Sequence, residues 1–170
     1  MALLPVLTAP NPRLKIKAEP VERVDEEVRR LMDDMLETMY ANDGMGLAAT
    51  QVGIDKRIIV IDLHAGENGK PPRVMKLANP EVLWASEETA FVDEACLSVP
   101  NLYAAVGRPT SIKIRYLNEH NKLVEIEEDG PLARCIQHEI DHLDGILYID
   151  HLSRLKREIM VRKLMKARKY

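Results

Sequence analysis

Gly130 to Gly145 reads GPLARCIQHEIDHLDG, and this stretch decides the fold. Pro131 suits the first turn of a helix, where its missing N–H leaves no bond unmade. Asp144-Gly145 supplies a stop. Between them lies His138-Glu139-Ile140-Asp141-His142, an H-E-x-x-H sequence. Histidines four apart share one helix face, one turn above the other. Two imidazoles so placed can hold one metal ion, while the adjacent Glu139 handles a proton. The plainer reading is two solvated helix histidines. A metal reading needs a third ligand and an open position for water.

Working outward, the segments around this helix read mostly as strands. Thr110 to Leu117 alternates Ile112, Ile114 and Tyr116, and Lys122 to Glu127 alternates Leu123, Val124 and Ile126. The turn-rich NEHN between them makes a hairpin. Strand-like runs also cover Val74 to Asn79 and Glu81 to Val92, and Arg57 to Leu63 reads as a buried strand. Gly44 to Gly53 reads as a small-residue loop, His64 to Arg73 as an exposed one. Asp25 to Tyr40 carries Val28, Leu31, Met32, Met35, Leu36 and Met39 at amphipathic-helix spacing, with acids in its first turn. The opening PNPRLKIKAEPV, Pro10 to Val21, is expected to run extended over the surface. A last helix is expected from about His151 to the end. The layout is α+β: antiparallel sheets around a central metal-binding helix, with a C-terminal helix.

The 170 residues suit one domain, residues 1–170, with a core that needs no staple. That core is aliphatic, since the chain holds one Phe and one Trp. A formal net charge of −3 argues against an all-over nucleic-acid or membrane binder. The start, MALLPVLTAP, lacks a basic region and is broken by Pro5 and Pro10, so no signal peptide is expected. No stretch approaches the length of a bilayer span. Cys96 and Cys135 are the only cysteines. One bridge in a secreted chain and a reduced compartment with a thiolate ligand both fit; the motifs favour the second, hence a cytoplasmic protein.

The third ligand is the open question. The pattern H-E-x-x-H-x-x-G-x-x-H nearly fits, but its last position is Tyr148. Cys135 shares the histidines' face yet lies roughly 7–8 Å along the axis from a midway ion at ~1.5 Å rise per residue, beyond its reach. Cys96, in the separate segment EACLSVP, can approach from outside and complete a Cys-His-His site. It also reads as an inert core thiol. A metallopeptidase or amidase on another acyl-peptide substrate would instead take Asp144, Asp150 or His151 as third ligand.

Three segments, GMGLAATQ (Gly44 to Gln51), EACLS (Glu94 to Ser98) and QHEIDH (Gln137 to His142), closely resemble the three signature motifs of peptide deformylases, in that family's order and with fitting separations. The opening stretch and the long C-terminal helix resemble the family's bacterial type-1 branch, so the resemblance spans nearly the whole chain. It implies removal of the N-formyl group from the formylmethionine end of nascent polypeptides, releasing formate. It implies one divalent ion on Cys96, His138 and His142: Fe(II), with Zn, Ni or Co able to replace it. Glu139 would be general base and acid, and the Gln51 side chain and Leu97 N–H the oxyanion donors. Gly46, Met45, Glu94, Ala95 and Arg134 would lie against the substrate.

Two positions depart from the family pattern. Ala95 replaces the usual Gly of the second motif: it is strained if φ is positive there, and otherwise its methyl narrows the pocket. Arg134 stands where the family commonly has an apolar residue lining the methionine pocket, with Pro131 nearby. Its side chain either folds outward along its alkyl stem or reshapes the pocket. These changes raise a third reading, a catalytically degenerate ribosome-associated binding protein; the intact ligand set, Glu139 and Gln51 argue against it. The C-terminal segment Ser153 to Tyr170 holds Arg154, Lys156, Arg157, Arg162, Lys163, Lys166, Arg168 and Lys169 against one acid, Glu158. Leu152, Leu155, Ile159 and Leu164 are expected to dock part of it. The resemblance implies ribosome contact for the rest, through a basic face whose binding weakens with salt.

Overall fold

A computed structural model describes residues 2–167. Strand β2 (Ile58–Asp62) explains why the architecture needs two helices. All five of its residues are buried, so its unbroken apolar run faces a core on each side. Ile58 and Val60 meet helix α1 (Glu26–Ala41) through Met32, Met35 and Met39. Ile59 and Ile61 meet helix α2 (Gly130–Leu143) through Leu132, Ala133 and Ile136. Asp25 caps α1, its side chain accepting from Val28 N–H at 3.0 Å.

The main sheet has five antiparallel strands in the order β1-β2-β3-β6-β7, where β1 is Gly46–Ala48, β3 Val74–Ala85, β6 Ser111–Leu117 and β7 Leu123–Asp129. The expected hairpin is β6–β7, with Ile114 opposite Ile126. A second, two-stranded ribbon pairs β4 (Thr89–Cys96) with β5 (Val99–Pro109). At its closed end Cys96 faces Val99 across the tight turn that holds Leu97 and Ser98. A third apolar cluster joins Val99 and Val106 of the ribbon to Leu14, Tyr148 and Ile149, and to Met160 and Leu164 of helix α3 (Arg154–Ala167).

Helices α1 and α2 lie where the sequence places them, within a residue or two of their ends, while several irregular segments differ. The opening stretch does not simply run over the surface. It forms a 3₁₀ turn, Pro12–Lys15, that buries Leu14, and Ala18 N–H bonds to Leu143 O at 2.8 Å. Gly145, at φ 76°, admits this segment, since a Cβ there would stand 2.4 Å from Lys15 O. Gly44–Gly53 is not only a loop: it contains β1 and a 3₁₀ turn, Ala49–Val52. Strand β3 continues through Pro80 on register shifts, and β5 was not expected at all. A 3₁₀ turn at Tyr148–His151 delays the last helix to Arg154. That turn sets which face docks: Met160 and Leu164 are buried, whereas Leu155 and Ile159 are exposed. Arg168 and Lys169 lie outside the described residues. Among those described, no helix is long and apolar enough to cross a membrane.

Candidate metal centre and catalytic site

Helix α2 presents His138 and His142 on one face, ring centroids 5.1 Å apart, both buried. The turn that closes the β4–β5 ribbon brings Cys96 to them, its Sγ 3.2 Å from His142 Nε2. One donor atom from each of the three residues lies within 4.8 Å of the others. Gln51 Nε2 at 3.5 Å and Ser98 N–H at 3.4 Å both donate to the sulfur, which suits a thiolate.

The alternative third ligands are engaged elsewhere. Asp144 pairs with Arg57 at 3.0 Å, Asp150 with Lys15, and His151 Nε2 with Asp141 at 2.8 Å. Tyr148 stacks its ring on His138. Cys135 stays outside the donor group and faces Gly46 instead; burial pushes its thiol well up.

These residues fit a divalent ion. His138 Nδ1 is taken by Glu94 Oε1 at 2.8 Å, and an ionised carboxylate only accepts, so Nδ1 carries a proton and Nε2 is the atom able to ligate. Burial works to lower this imidazole, but its bonds with Cys96 and Glu94 hold it well above the usual range, so an ion bound there would displace the Nε2 proton. Burial holds His142 in its neutral, ligating form. On the same helix as both histidines, the buried Glu139 Oε1 has no hydrogen-bond partner. Atoms so buried are normally satisfied. Burial pushes the Glu139 carboxyl up to about 7, with His138 pulling against it and Glu94 adding to it. An acid poised there can both take and return a proton near neutral pH.

The donors open onto a cleft of about 1030 Å³. Met45, Gly46, Ala95, Leu97, Arg134 and Glu139 are among its lining residues. Gln51 is buried behind them, its Oε1 held by Ala48 N–H at 2.9 Å, which aims Nε2 toward Cys96 and Ser98. A Cβ at Gly46 would stand 2.6 Å from Glu139 Oε2, so any larger residue there must displace that carboxyl. Ala95 is exposed and outside the left-handed region, so its methyl costs no strain and simply lines the cleft.

Glu94 and Arg134 border the cleft, but their polar ends are used inside the protein. Glu94 is buried against Arg108, Arg134 and His138. Burial works to raise its carboxyl, but the bonds from His138 and Arg108 hold it down at about 2. Arg134 folds neither outward nor freely into the cleft; it bonds Glu94 and the ribbon backbone. Arg108, 4% exposed and bonded to Glu94 and Asp141, is the residue behind the site that sequence reasoning missed. Its signal was available only through β5, where an arginine shares the inward face with Val106.

Such donors, with a buried acid on the same helix and an open cleft in front, suit a hydrolytic metal site. Comparison with known proteins narrows that class. Residues 3–158 match the family model for polypeptide deformylase. The peptide deformylase of Phenylobacterium zucineum (strain HLK1) is 54% identical over 169 residues, covering 99% of both chains. That of Methylocella silvestris is 52% identical over 171 residues, 99% of this chain and 87% of the relative. The crystal structure of peptide deformylase from Ehrlichia chaffeensis in complex with actinonin superposes with a TM-score of 0.93 at 40% identity, covering 100% of both chains. The chain therefore belongs to the polypeptide deformylase family.

Proposed function

We propose that Cys96, His138 and His142 hold the catalytic ion and that Glu139 moves the proton of the reaction. The reaction itself is the family's: metal-dependent removal of the N-formyl group from nascent peptides. The observation that carries the assignment of roles is Glu139, a buried acid with an unpartnered oxygen on the helix that presents two of the three converging donors.

Cys96, His138 and His142 would hold a divalent ion, which would supply Lewis acidity and make water a better nucleophile at neutral pH. Glu139 takes the proton from the attacking water and later delivers it to the departing amine, leaving formate. Gln51 Nε2 and the Leu97 N–H stabilise the negative charge that develops on the formyl oxygen. Gly46 lets the peptide backbone approach Glu139, while Met45 and Ala95 flank it. Glu94 orients His138 from behind, so its part is indirect. Fe(II) is the ion proposed for the cell, with Zn, Ni or Co as replacements, and oxidation of the thiolate ligand then inactivates the enzyme.

Residues 1–170 act as one catalytic domain in the cytoplasm. The exposed Lys156, Arg162, Lys163 and Lys166 of α3 give a basic face for ribosome contact. Gln51→Ala tests the oxyanion role. Formate release from a formyl-Met tripeptide should fall ~10²–10³-fold in kcat, the usual loss for one such donor. An unchanged kcat would remove Gln51 from the mechanism.

A further inference from the structure

The three metal donors come from two separate bodies. Cys96 sits on the β4–β5 ribbon, whereas His138 and His142 sit on α2. Helix α2 packs chiefly on β1, β2, β6, β7 and the Ala49–Val52 turn; the ribbon packs chiefly on the Tyr148–His151 turn and α3. Side chains therefore do much to hold the ribbon at a fixed distance from the helix. Gln137 reaches Pro109 O at 3.0 Å, and Arg108 reaches Asp141 at 2.8 Å. Arg134 does more. Its Nη1 donates to Glu94 Oε2 at 2.6 Å and to Val106 O at 2.8 Å, and its Nη2 donates to Ala90 O at 2.8 Å. One guanidinium on α2 thus grips both strands of the ribbon, and only 15% of its side chain is exposed.

Glu94 gives this grip its consequence. Its Oε1 accepts from His138 Nδ1 at 2.8 Å and Arg108 Nη2 at 2.9 Å. Its Oε2 accepts from Arg108 Nε at 2.6 Å and Arg134 Nη1 at 2.6 Å. A carboxylate offers about four lone-pair sites, and here all are filled. Glu94 cannot turn without breaking a charge-assisted bond, and Arg134 holds the oxygen that His138 leaves free.

We propose that Arg134 is a positioning residue for the metal site: it clasps the ribbon to α2 and fixes Glu94, and so sets the His138 ring and the spacing of the Cys96 sulfur from both imidazoles. This rests on Cys96, His138 and His142 being the ligand set. A planar fork performs the clasp; a lysine in its place offers a single point of attachment. The competing role for Arg134 is wall of the cleft alone, which touches substrate binding and leaves the metal unaffected.

Co(II) separates the two, because its visible bands report ligand geometry and its near-ultraviolet band reports bonding to sulfur. The full chain, R134M and R134K would each be loaded with Co(II). Their absorption spectra, the rate of metal loss to a chelator, and kcat and KM for a formyl-Met tripeptide would be measured. R134M should hold Co(II) ~10–100-fold less tightly, the usual effect of losing a residue that orients a ligand. Its visible bands should shift, and kcat should fall more than KM rises; R134K should lie between R134M and the parent. If R134M keeps the parent spectrum and rate of metal loss and changes only KM, the proposal is overturned. Should R134M fail to fold, R134K decides: parent-like bands and retention overturn it, and intermediate values support it. A parent protein lacking the sulfur band overturns the ligand set and this inference with it, so the two failures are distinguishable.

Discussion

At the scale of single residues, the site depends on what surrounds each charged group. Gly46 leaves space that Glu139 needs: Gly46→Ala would drive a methyl to 2.6 Å from Glu139 Oε2. The carboxyl must move, and a shift on that scale can lower the rate ~10²-fold. Steady-state formate release should show this loss while thermal unfolding shows a folded protein. Undiminished turnover would mean that the carboxyl has slack. Glu94 yields a prediction about acid. Its folded carboxyl titrates at about 2 against an ordinary 4.5. A depressed carboxyl stabilises the fold fully above its unfolded value and loses that contribution as pH falls toward its folded value. In metal-free protein, Glu94→Gln should therefore flatten the decline of the unfolding midpoint between about pH 4.5 and pH 2. An identical slope in parent and variant would show that Glu94 does not carry the acid limb. His138, His142 and Glu139 were legible because their spacing alone places them on one turn of helix. Cys96 was legible as a candidate, with its partners open until the motifs were taken together. The true surroundings of Glu94 and Arg134 were not, because they depend on Arg108, which comes from a strand no local pattern announced.

Among the elements, β2 matters most. It is buried on both faces, and its odd and even residues serve different helices. Ile59 belongs to the cluster beneath α2, so Ile59→Ala opens a cavity under the helix that carries both histidines. The cost should be ~2–5 kcal/mol. Urea unfolding should show a lower midpoint with an unchanged slope. A loss below ~1 kcal/mol would mean that the space collapses and α2 repacks. The sequence announced α1, α2 and β2 because each carries its own periodicity or apolar run. Strand β1 escaped notice because Gly46–Ala48 is short and glycine-led, and it becomes a strand only by pairing with β2. Strand β5 was hidden by Pro100, Asn101, Gly107 and Pro109, residues that locally read as turns; its pairing with β4 overrides them.

For the whole molecule, the arrangement divides labour between a sheet with two packed helices and a ribbon that closes over one of them. Helix α2 carries two imidazoles and Glu139, and the ribbon carries the Cys96 sulfur and the cleft's facing wall. Neither part alone holds the donor set, which explains why two short motifs far apart in the chain had to be read together. The charge is divided too: a formal net −3 overall accompanies a strongly basic last helix.

The most direct test of this account joins activity to the proton-handling acid. The full chain is purified without oxygen, loaded with Fe(II) or Ni(II), and given a formyl-Met tripeptide, with Glu139→Ala treated identically. The account predicts rapid formate release by the parent and a loss of at least ~10²-fold in the variant, although both bind the metal. A metal-loaded parent that releases no formate, or a variant as active as the parent, would contradict it.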